Sequence, residues 1–400
     1  MEQFIKTMLG RSVSLVRRMA FGQSEYRSAA FLASHMKLFK RIVLRNPQHV
    51  DFDALLTRAK RVGLLVPRDG ATSYWQNLVP LFPNNELVFL DEPGWGRADA
   101  YFVVGIGHNA RHALEKIDAM NAPCYVVEET FLKSVAPGAM GKDAKIPLGY
   151  FKSVAYIMDA RSPAFFSGIR SQLEHDIDSS YEISAAERAA ARRLIERIVS
   201  NHLSKYNCQP VRIPRFSRPA SRTVLVIDQA YRDFSVALSG ADDSVFMQML
   251  QCAIDENPGA QLVVRQHIDK VSRETYFSRA PLPAGVILSN DPSDAISVLM
   301  ASDAVYTFSS TMGWEALMCG REVHTFGAPI YAGWGLTRDR QKFGMRRSRA
   351  RSLEELFHFI YMRGARFIDP ESSRPCTIDR AIDYLVDGRE RFLREFGQPV

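Results

Sequence analysis

The feature that most constrains this chain is a change of rhythm at Arg61, after which short apolar runs alternate with amphipathic stretches. V-G-L-L-V-P (62–67), L-V-F-L (87–90), Y-F-V-V-G (101–105), C-Y-V-V (124–127) and V-A-Y-I-M (154–158) form one series. T-V-L-V-I (223–227), Q-L-V-V-R (261–265), G-V-I-L (285–288) and residues 304–308 form a second. Such alternation signals βαβ units and a parallel sheet, and a strand apolar throughout is buried on both faces. Two series imply two sheets. Between them runs P-V-R-I-P-R-F-S-R-P-A-S-R (210–222), with three prolines and no periodicity, which reads as a linker.

The expected fold class is α/β, two Rossmann-like domains facing a cleft, preceded by a helical segment. The boundaries expected are a basic helical leader (1–60), a first domain (61–209), the linker (210–222), a second domain (223–378) and a terminal helix (379–400). By analogy with other two-Rossmann folds, that helix is expected to cross back to the first domain. Residues 184–206 read as one long helix, with Ser184 as N-cap, Glu187 in the capping-box position, and Arg192, Arg193 and Arg197 in water.

Composition narrows the setting. Four hundred residues, 46% hydrophobic and 24% charged, are enough for two medium cores. No apolar run is long enough to cross a bilayer, and charge interrupts the first residues too early for a signal-peptide core, so a cytoplasmic location is expected. The five cysteines show no C-x-x-C spacing, so neither zinc nor disulfides are expected. The net charge of +7 is concentrated in residues 1–60, which hold eleven Lys/Arg against four Asp/Glu. That leader suits packing against the protein or a peripheral seat on the cytoplasmic face of the inner membrane. No aromatic-interleaved basic motif follows, so nucleic acid is not an expected partner.

Open α/β sheets bind ligands at the carboxyl ends of their strands, and several chemistry-bearing residues fall there. E-E-T-F-L-K-S (128–134) puts Glu128 after the fourth run, as a general base or acid or as a helix-start acid beside the dipole. Gly105-Ile-Gly107-His108-Asn109 is half a dinucleotide fingerprint, read as a tight βα turn that can turn His108 or Asn109 toward a bound substrate. Asp159 reads as a turn-forming residue. Asp228 and Gln229 follow the first run of the second series, and Arg265, His267 and Asp269 stand at the exit of the next. Ser309, Ser310 and Thr311 close the run 304–308 where a helix begins. Free N–H groups and the helix dipole there offer a phosphate seat, with Gly313 allowing close approach. The same three residues also make an ordinary Ser N-cap.

The stretch S-S-T-M-G-W-E-A-L…V-H-T-F-G-A-P-I-Y-A-G-W-G-L-T-R-D-R (309–340) resembles the C-terminal signature of the retaining β-Kdo glycosyltransferases. These bacterial enzymes transfer Kdo from CMP-Kdo in capsule and O-antigen lipopolysaccharide assembly. The family pattern D-Q-x-x-x-D-x-S is met by Asp228, Gln229, Asp233 and Ser235. K-x-H-P-D is met by His267 and Asp269, with Arg265 for lysine and Ile268 for proline. E-D-G-F-x-R-S is met by Glu128, Phe131 and Ser134, with Lys133 for arginine and Thr130 for glycine.

The resemblance implies a GT-B-like fold and a double displacement through an Asp-linked glycosyl intermediate. Asp228 is then the expected nucleophile, with Asp233 as alternate, and His267 touches the departing phosphate or the Kdo carboxylate. Ser309, Ser310 and Thr311 hold the CMP phosphate in place of a metal, Glu315 bonds the ribose, and Tyr331 and Trp334 shape the donor pocket. Gln229 and Arg265 join the substrate-binding set, and Glu128 deprotonates the acceptor. No cofactor or metal is implied; the partners are CMP-Kdo and an oligosaccharide or lipid-linked glycan acceptor. Two alternatives remain at this level, a transferase for another CMP-sugar of sialyltransferase type and a non-catalytic nucleotide-sugar or glycan-binding module.

Overall fold

The computed structural model describes residues 29–65, 73–90, 95–104, 111–138, 140, 145–163, 166, 168–216, 222–231, 233–237, 239, 241, 243–267, 274–279 and 281–397. Two sheets organise the chain, as the two series of apolar runs predict. The first is built from β1 (Arg61–Leu65), β2 (Glu86–Phe89), β3 (Ala100–Val104), β4 (Cys124–Glu129) and β5 (Ala155–Asp159). The second holds β6 (Thr223–Ile227), β7 (Gln261–Arg265), β8 (Ile287–Ser289), β9 (Ala304–Thr307), β10 (Glu322–Thr325) and β11 (Arg338–Asp339). Two late strands, β12 (Ala365–Asp369) and β13 (Arg374–Cys376), complete the first sheet.

Period-two alternation divides each buried strand between two cores. Leu225 and Ile227 of β6, Val263 of β7 and Val305 of β9 face one cluster. Val224 and Val226, Leu262 and Val264, and Ala304 and Tyr306 face another. The first of these clusters also contains Val135, Phe151, Trp314, Phe357 and Leu385, so a continuous apolar core passes from one sheet's layers to the other's. The arrangement is that of two Rossmann-like domains.

The second sheet, ordered β11-β10-β9-β6-β7-β8, is parallel throughout. The first is not. It runs β13-β12-β5-β4-β3-β1-β2, and β5 pairs antiparallel with both β4 and β12. An apolar run records burial without strand direction, so the expected all-parallel sheet is corrected at that edge. The second domain's expected limit at 378 is corrected as well, because the chain re-enters the first sheet at Ala365. The helix Ile378–Phe396 then packs on the first domain. The Tyr384 hydroxyl donates to the Gly149 carbonyl at 2.9 Å, and Phe392 meets Tyr150 edge-on at 5.4 Å.

The helix expected over 184–206 is Ala185–Ser200, opened by a full capping box between Ser184 and Glu187. Its arginines are not simply solvated. Arg192 pairs with Glu354, Arg193 with Asp379, and Arg197 with Asp379 and Asp383, which ties the helix to the returning C-terminal segment. In the leader, helices Ala29–Val43 and Phe52–Arg58 are seen. Among the described residues no helix is long and apolar enough to cross a membrane.

Candidate functional site

The strand order of the second sheet dictates where a ligand belongs. From β6 the chain moves outward through β7 and β8, then returns to the other side of β6 to place β9. The carboxyl ends of β6 and β9 therefore diverge around a topological switch point, the usual ligand crevice of an open α/β sheet. The segments leaving those two ends are 228–235 and 309–311.

They are knitted together. The Gln229 side chain accepts from the Ser309 N–H at 3.0 Å and donates to the Ser309 and Ser235 hydroxyls at 3.3 Å. Ser309 Oγ donates to Ser235 Oγ at 2.8 Å, and Ser235 donates from its hydroxyl to Asp233 Oδ1 at 2.6 Å. Asp233 Oδ1 also accepts the Ser235 N–H at 2.9 Å, while Oδ2 has no hydrogen-bond partner among the described residues. Asp233 and Ser309 are both only partly buried, in contrast to Asp228.

Asp228 is placed differently. It is 1% exposed, and Oδ1 accepts the N–H groups of Gln229 at 2.9 Å and Phe277 at 3.3 Å. The Thr275 hydroxyl lies beside the carboxyl, yet Oδ2 completes no hydrogen bond of good geometry. Burial pushes this acid up to about 6. Such a carboxyl organises the turn that follows β6. A carboxylate at the tip of that strand can point into the cleft or cap the turn, and the bonds of Asp228 are those of the second alternative; of the two aspartates Asp233 adjoins the hydroxyl cluster.

The helix Thr311–Met318 begins behind Ser310, its N-cap, whose hydroxyl accepts the Met312 N–H at 3.3 Å. The Ser309 and Ser310 N–H groups are used by Gln229 and by Thr307 Oγ1, the latter at 3.1 Å. The Gly313 N–H bonds back to the Ser310 carbonyl at 3.1 Å. What this end offers a phosphate is the Thr311 N–H, the hydroxyls of Ser310 and Thr311, and the positive end of the dipole, while the Ser309 hydroxyl proton is held by Ser235.

His267 is half-buried just beyond β7, at the same edge of the sheet. Arg265 is turned away. Its guanidinium donates to the carbonyls of Asp291 and Ser293 in the loop after β8 and braces that loop, which corrects its expected place in the substrate set. His108, Asn109 and Asp269 fall outside the described residues. Asp159 is the turn-former expected, with its carboxylate accepting four backbone N–H groups, those of Arg161, Ser162, Gln172 and Leu173.

Across the seam, β4 ends in Glu128 and Glu129. Glu129 is ion-paired with Lys133, whereas Glu128 Oε2 is buried without a hydrogen-bond partner. Burial first, and then the neighbouring Glu129 charge, push Glu128 up to about 7, with Lys205 and Lys133 opposing. A carboxyl near neutrality is matched to proton transfer at physiological pH. Phe131 of the same segment packs on Trp314 at 6.3 Å and Tyr331 at 6.4 Å, which sets the exit of β4 against the helix Thr311–Met318.

Comparison with known proteins agrees with this arrangement. Residues 170–367 match the family described as capsule polysaccharide biosynthesis protein. A solved β-Kdo 2,4 transferase, KpsC of Thermosulfurimonas dismutans, superposes with a TM-score of 0.71 at 32% identity, covering 82% of this chain and 98% of that one. This chain belongs to the capsule polysaccharide biosynthesis family. The capsule polysaccharide modification protein LipA of Neisseria meningitidis serogroup A is 33% identical over 274 residues, which are 66% of this chain and 38% of LipA. The lipopolysaccharide-processing protein LpsZ of Rhizobium meliloti is 34% identical over 286 residues, 70% of this chain and 62% of LpsZ. The chain thus spans about two fifths to three fifths of these curated relatives.

Within the family's signature stretch, several residues expected to touch the donor instead build the scaffold. Glu315 is 2% exposed; its Oε1 accepts the Lys205 N–H at 2.9 Å, so it cannot reach a ribose from that position. Tyr331 is fully buried, donating to the Ser310 carbonyl at 2.6 Å, and burial pushes its hydroxyl far above its usual range. Trp334 is fully buried too, with Nε1 donating to the Ile330 carbonyl at 2.7 Å. Neither ring lines an open pocket. Gly313 is needed for a side-chain approach, not an anion: a Cβ there would stand 2.2 Å from Tyr331 Oη and 2.9 Å from Thr307 Cγ2.

Two elements escape sequence reasoning. Lys205 is hidden at the end of the expected long helix, although S-K-Y-N is followed by no further helical pattern. Arg347 looks like one surface cation among many in R-R-S-R-A-R (346–351), yet it donates to the carbonyls of Pro329 at 2.7 Å and Ala332 at 2.6 Å and lies over the Phe343 ring. Its partner Glu174, from the first domain, is as buried as it is, each side chain being 2% exposed.

Proposed function

We propose that this chain is a retaining glycosyltransferase that moves Kdo from CMP-Kdo to a glycan acceptor with a β-linkage in capsule or lipopolysaccharide assembly. The observation that carries the reading is the knot of Asp233, Ser235, Gln229 and Ser309 at the switch point, which sets a carboxylate beside a hydroxyl-lined helix start. Similarity to a β-Kdo transferase module over nearly that module's whole length supplies the sugar.

Retention by double displacement needs a carboxylate at the anomeric carbon and a base for the acceptor. In the first step Asp233 Oδ2 attacks that carbon, the bond to the phosphate oxygen breaks, and CMP leaves with the electron pair. Ser310, Thr311 and the helix dipole stabilise the departing phosphate without a metal, Ser309 re-aiming its hydroxyl from Ser235 as Asp233 gives up its charge, and His267 meets the phosphate or the Kdo carboxylate. In the second step Glu128 takes the acceptor proton, the acceptor oxygen forms the new glycosidic bond, and Asp233 departs as carboxylate. Asp228 keeps the 228–235 turn in shape. The acceptor is an oligosaccharide or lipid-linked glycan, which accords with work at the cytoplasmic face of the inner membrane.

The test is intact-protein mass spectrometry after incubation with CMP-Kdo. Glu128→Gln protein, lacking the base, is expected to accumulate one Kdo increment; Asp233→Asn in that background shows none. A Glu128→Gln/Asp233→Asn protein that still gains the increment, or a product of inverted anomeric configuration, overturns the mechanism. An increment from CMP-sialic acid and none from CMP-Kdo overturns the donor.

A further inference from the structure

The segment 346–351, which follows β11 of the second sheet, lies along the first domain. Arg346 donates to the Ile169 carbonyl at 2.8 Å and to Glu174 Oε2 at 2.7 Å. The Ser348 N–H meets Asp178 Oδ1 at 2.9 Å, and Arg351 donates to the carbonyls of Ile177 at 2.8 Å and Tyr181 at 3.1 Å. From this strap Arg347 reaches the other way. Its guanidinium holds the carbonyls of Pro329 and Ala332, which flank Tyr331, while it faces Glu174 Oε2 at 3.4 Å. The Tyr331 hydroxyl in turn donates to the Ser310 carbonyl at 2.6 Å, and Ser310 is the N-cap of the helix Thr311–Met318. Hydrogen bonds and two short backbone steps thus lead from a first-domain carboxylate to the start of that helix.

We propose that Glu174 is a positioning residue for the donor's phosphate: through Arg347 it fixes the loop 329–332, and through the Tyr331 hydroxyl that loop fixes Ser310 and the Thr311 N–H behind it. This rests on the reading of that helix start as the phosphate seat. Stability alone does not account for the buried pair. Both side chains are 2% exposed and have given up their hydration, and apolar residues of similar volume would fill the space as well or better. What apolar residues cannot do is hold two carbonyls in a set relation, as the rigid fork of a guanidinium does. A phosphate seat needs that rigidity, because an N–H···O bond weakens steeply once its angle falls below about 120°. Glu174 and Ser310 belong to different domains, so the seat takes its final shape only where the two domains meet.

The test separates folding from phosphate binding. A Glu174→Leu/Arg347→Met protein keeps the volume of the pair and loses the fork. It is expected to fold, as its urea midpoint shows, yet to bind CMP about tenfold more weakly by isothermal titration calorimetry. Cytidine, which lacks the phosphate, should bind both proteins alike. Tyr331→Phe removes one hydroxyl while the Ser310 carbonyl keeps the Gly313 N–H, so it probes the last link without endangering the fold. It should weaken CMP about fivefold, and joined to the pair replacement it should add nothing, since both act through one bond. CMP affinity within about twofold of wild type in either protein, a loss shared equally by cytidine, or losses that add, overturns the inference. Thr311→Pro removes the seat's own N–H and hydroxyl at the first helical position, where proline is tolerated, behind a Ser310 already extended at φ −61° and ψ 146°. CMP held by Thr311→Pro as tightly as by wild type overturns instead the reading of the helix start as the seat, whatever the other variants show.

Discussion

Arg347→Met tests how the loop that carries Y-A-G-W-G is held. The guanidinium supplies the carbonyls of Pro329 and Ala332, and it faces Glu174 Oε2 at 3.4 Å inside the protein. A methionine fills most of the space and removes the charge and every donor. Each stranded buried carbonyl costs about 1–3 kcal/mol. Glu174 keeps Arg346, so the acid is not wholly abandoned. Breaking a buried pair on one side costs about 3–5 kcal/mol, and the sum for two carbonyls, about 2–6 kcal/mol, brackets it. With a urea m-value of about 3 kcal/mol/M, the expected midpoint falls by about 1–1.7 M. The assay is urea unfolding followed by far-UV circular dichroism, with Arg349→Met as control. Arg349 donates from the surface to the Asp178 carbonyl, and its loss should cost no more than about 0.5 kcal/mol. A double Glu174→Leu/Arg347→Met protein should recover much of the loss, since apolar side chains can replace a buried pair. A midpoint for Arg347→Met within 0.2 M of wild type, an error of about 0.6 kcal/mol at that m-value, refutes the reasoning.

Other outcomes follow from the same geometry. Asp233→Asn should abolish transfer while leaving the melting temperature near that of the wild type. Asp228→Asn should mainly destabilise, and residual turnover above a tenth of wild type separates the two aspartates. Glu315 stands at about 7 when folded against 4.5 ordinarily, so the native state holds a proton the unfolded chain has released and stability falls as pH rises from about 4.5 to 7. Replacing it with glutamine should remove roughly 3 kcal/mol of that fall, read from urea midpoints at pH 5 and pH 8. Gly313→Ala should cost about 1–3 kcal/mol by crowding Tyr331, and Tyr331→Phe in the same protein should return part of it.

Much of this architecture is legible in the residues, and what is not has identifiable causes. The apolar runs locate the strands because a doubly covered strand must be apolar along its length, and β6 and β9 fall where T-V-L-V-I and residues 304–308 predict. The direction of β5 is not encoded in V-A-Y-I-M, since antiparallel pairing with β4 and β12 buries the same side chains. The strands of 365–376 are short and partly exposed, so R-F-I-D and R-P-C carry no pattern strong enough to separate them from a helical tail. Asp228 and Asp233 both satisfy the pattern after β6; only the fold shows one carboxyl turned to backbone N–H groups and the other to Ser235. Tyr331 and Trp334 are expected at the donor on the strength of the resemblance alone, and no local pattern separates an aromatic that lines a pocket from one the loop covers. Here the glycines let the loop fold over its own rings.

The return of the chain at Ala365 makes the first domain discontinuous: its sheet begins with strands some three hundred residues earlier and is closed by strands close to the C-terminus. Severing the proline-rich connection at 210–222 would therefore not yield two independent folding units. During synthesis β5 has an open edge until β12 has emerged, and at about 5–20 residues per second that interval lasts roughly ten to forty seconds. The first domain's sheet is thus closed only after every strand of the second has emerged, and a nascent chain cannot complete the earlier domain before the later one exists.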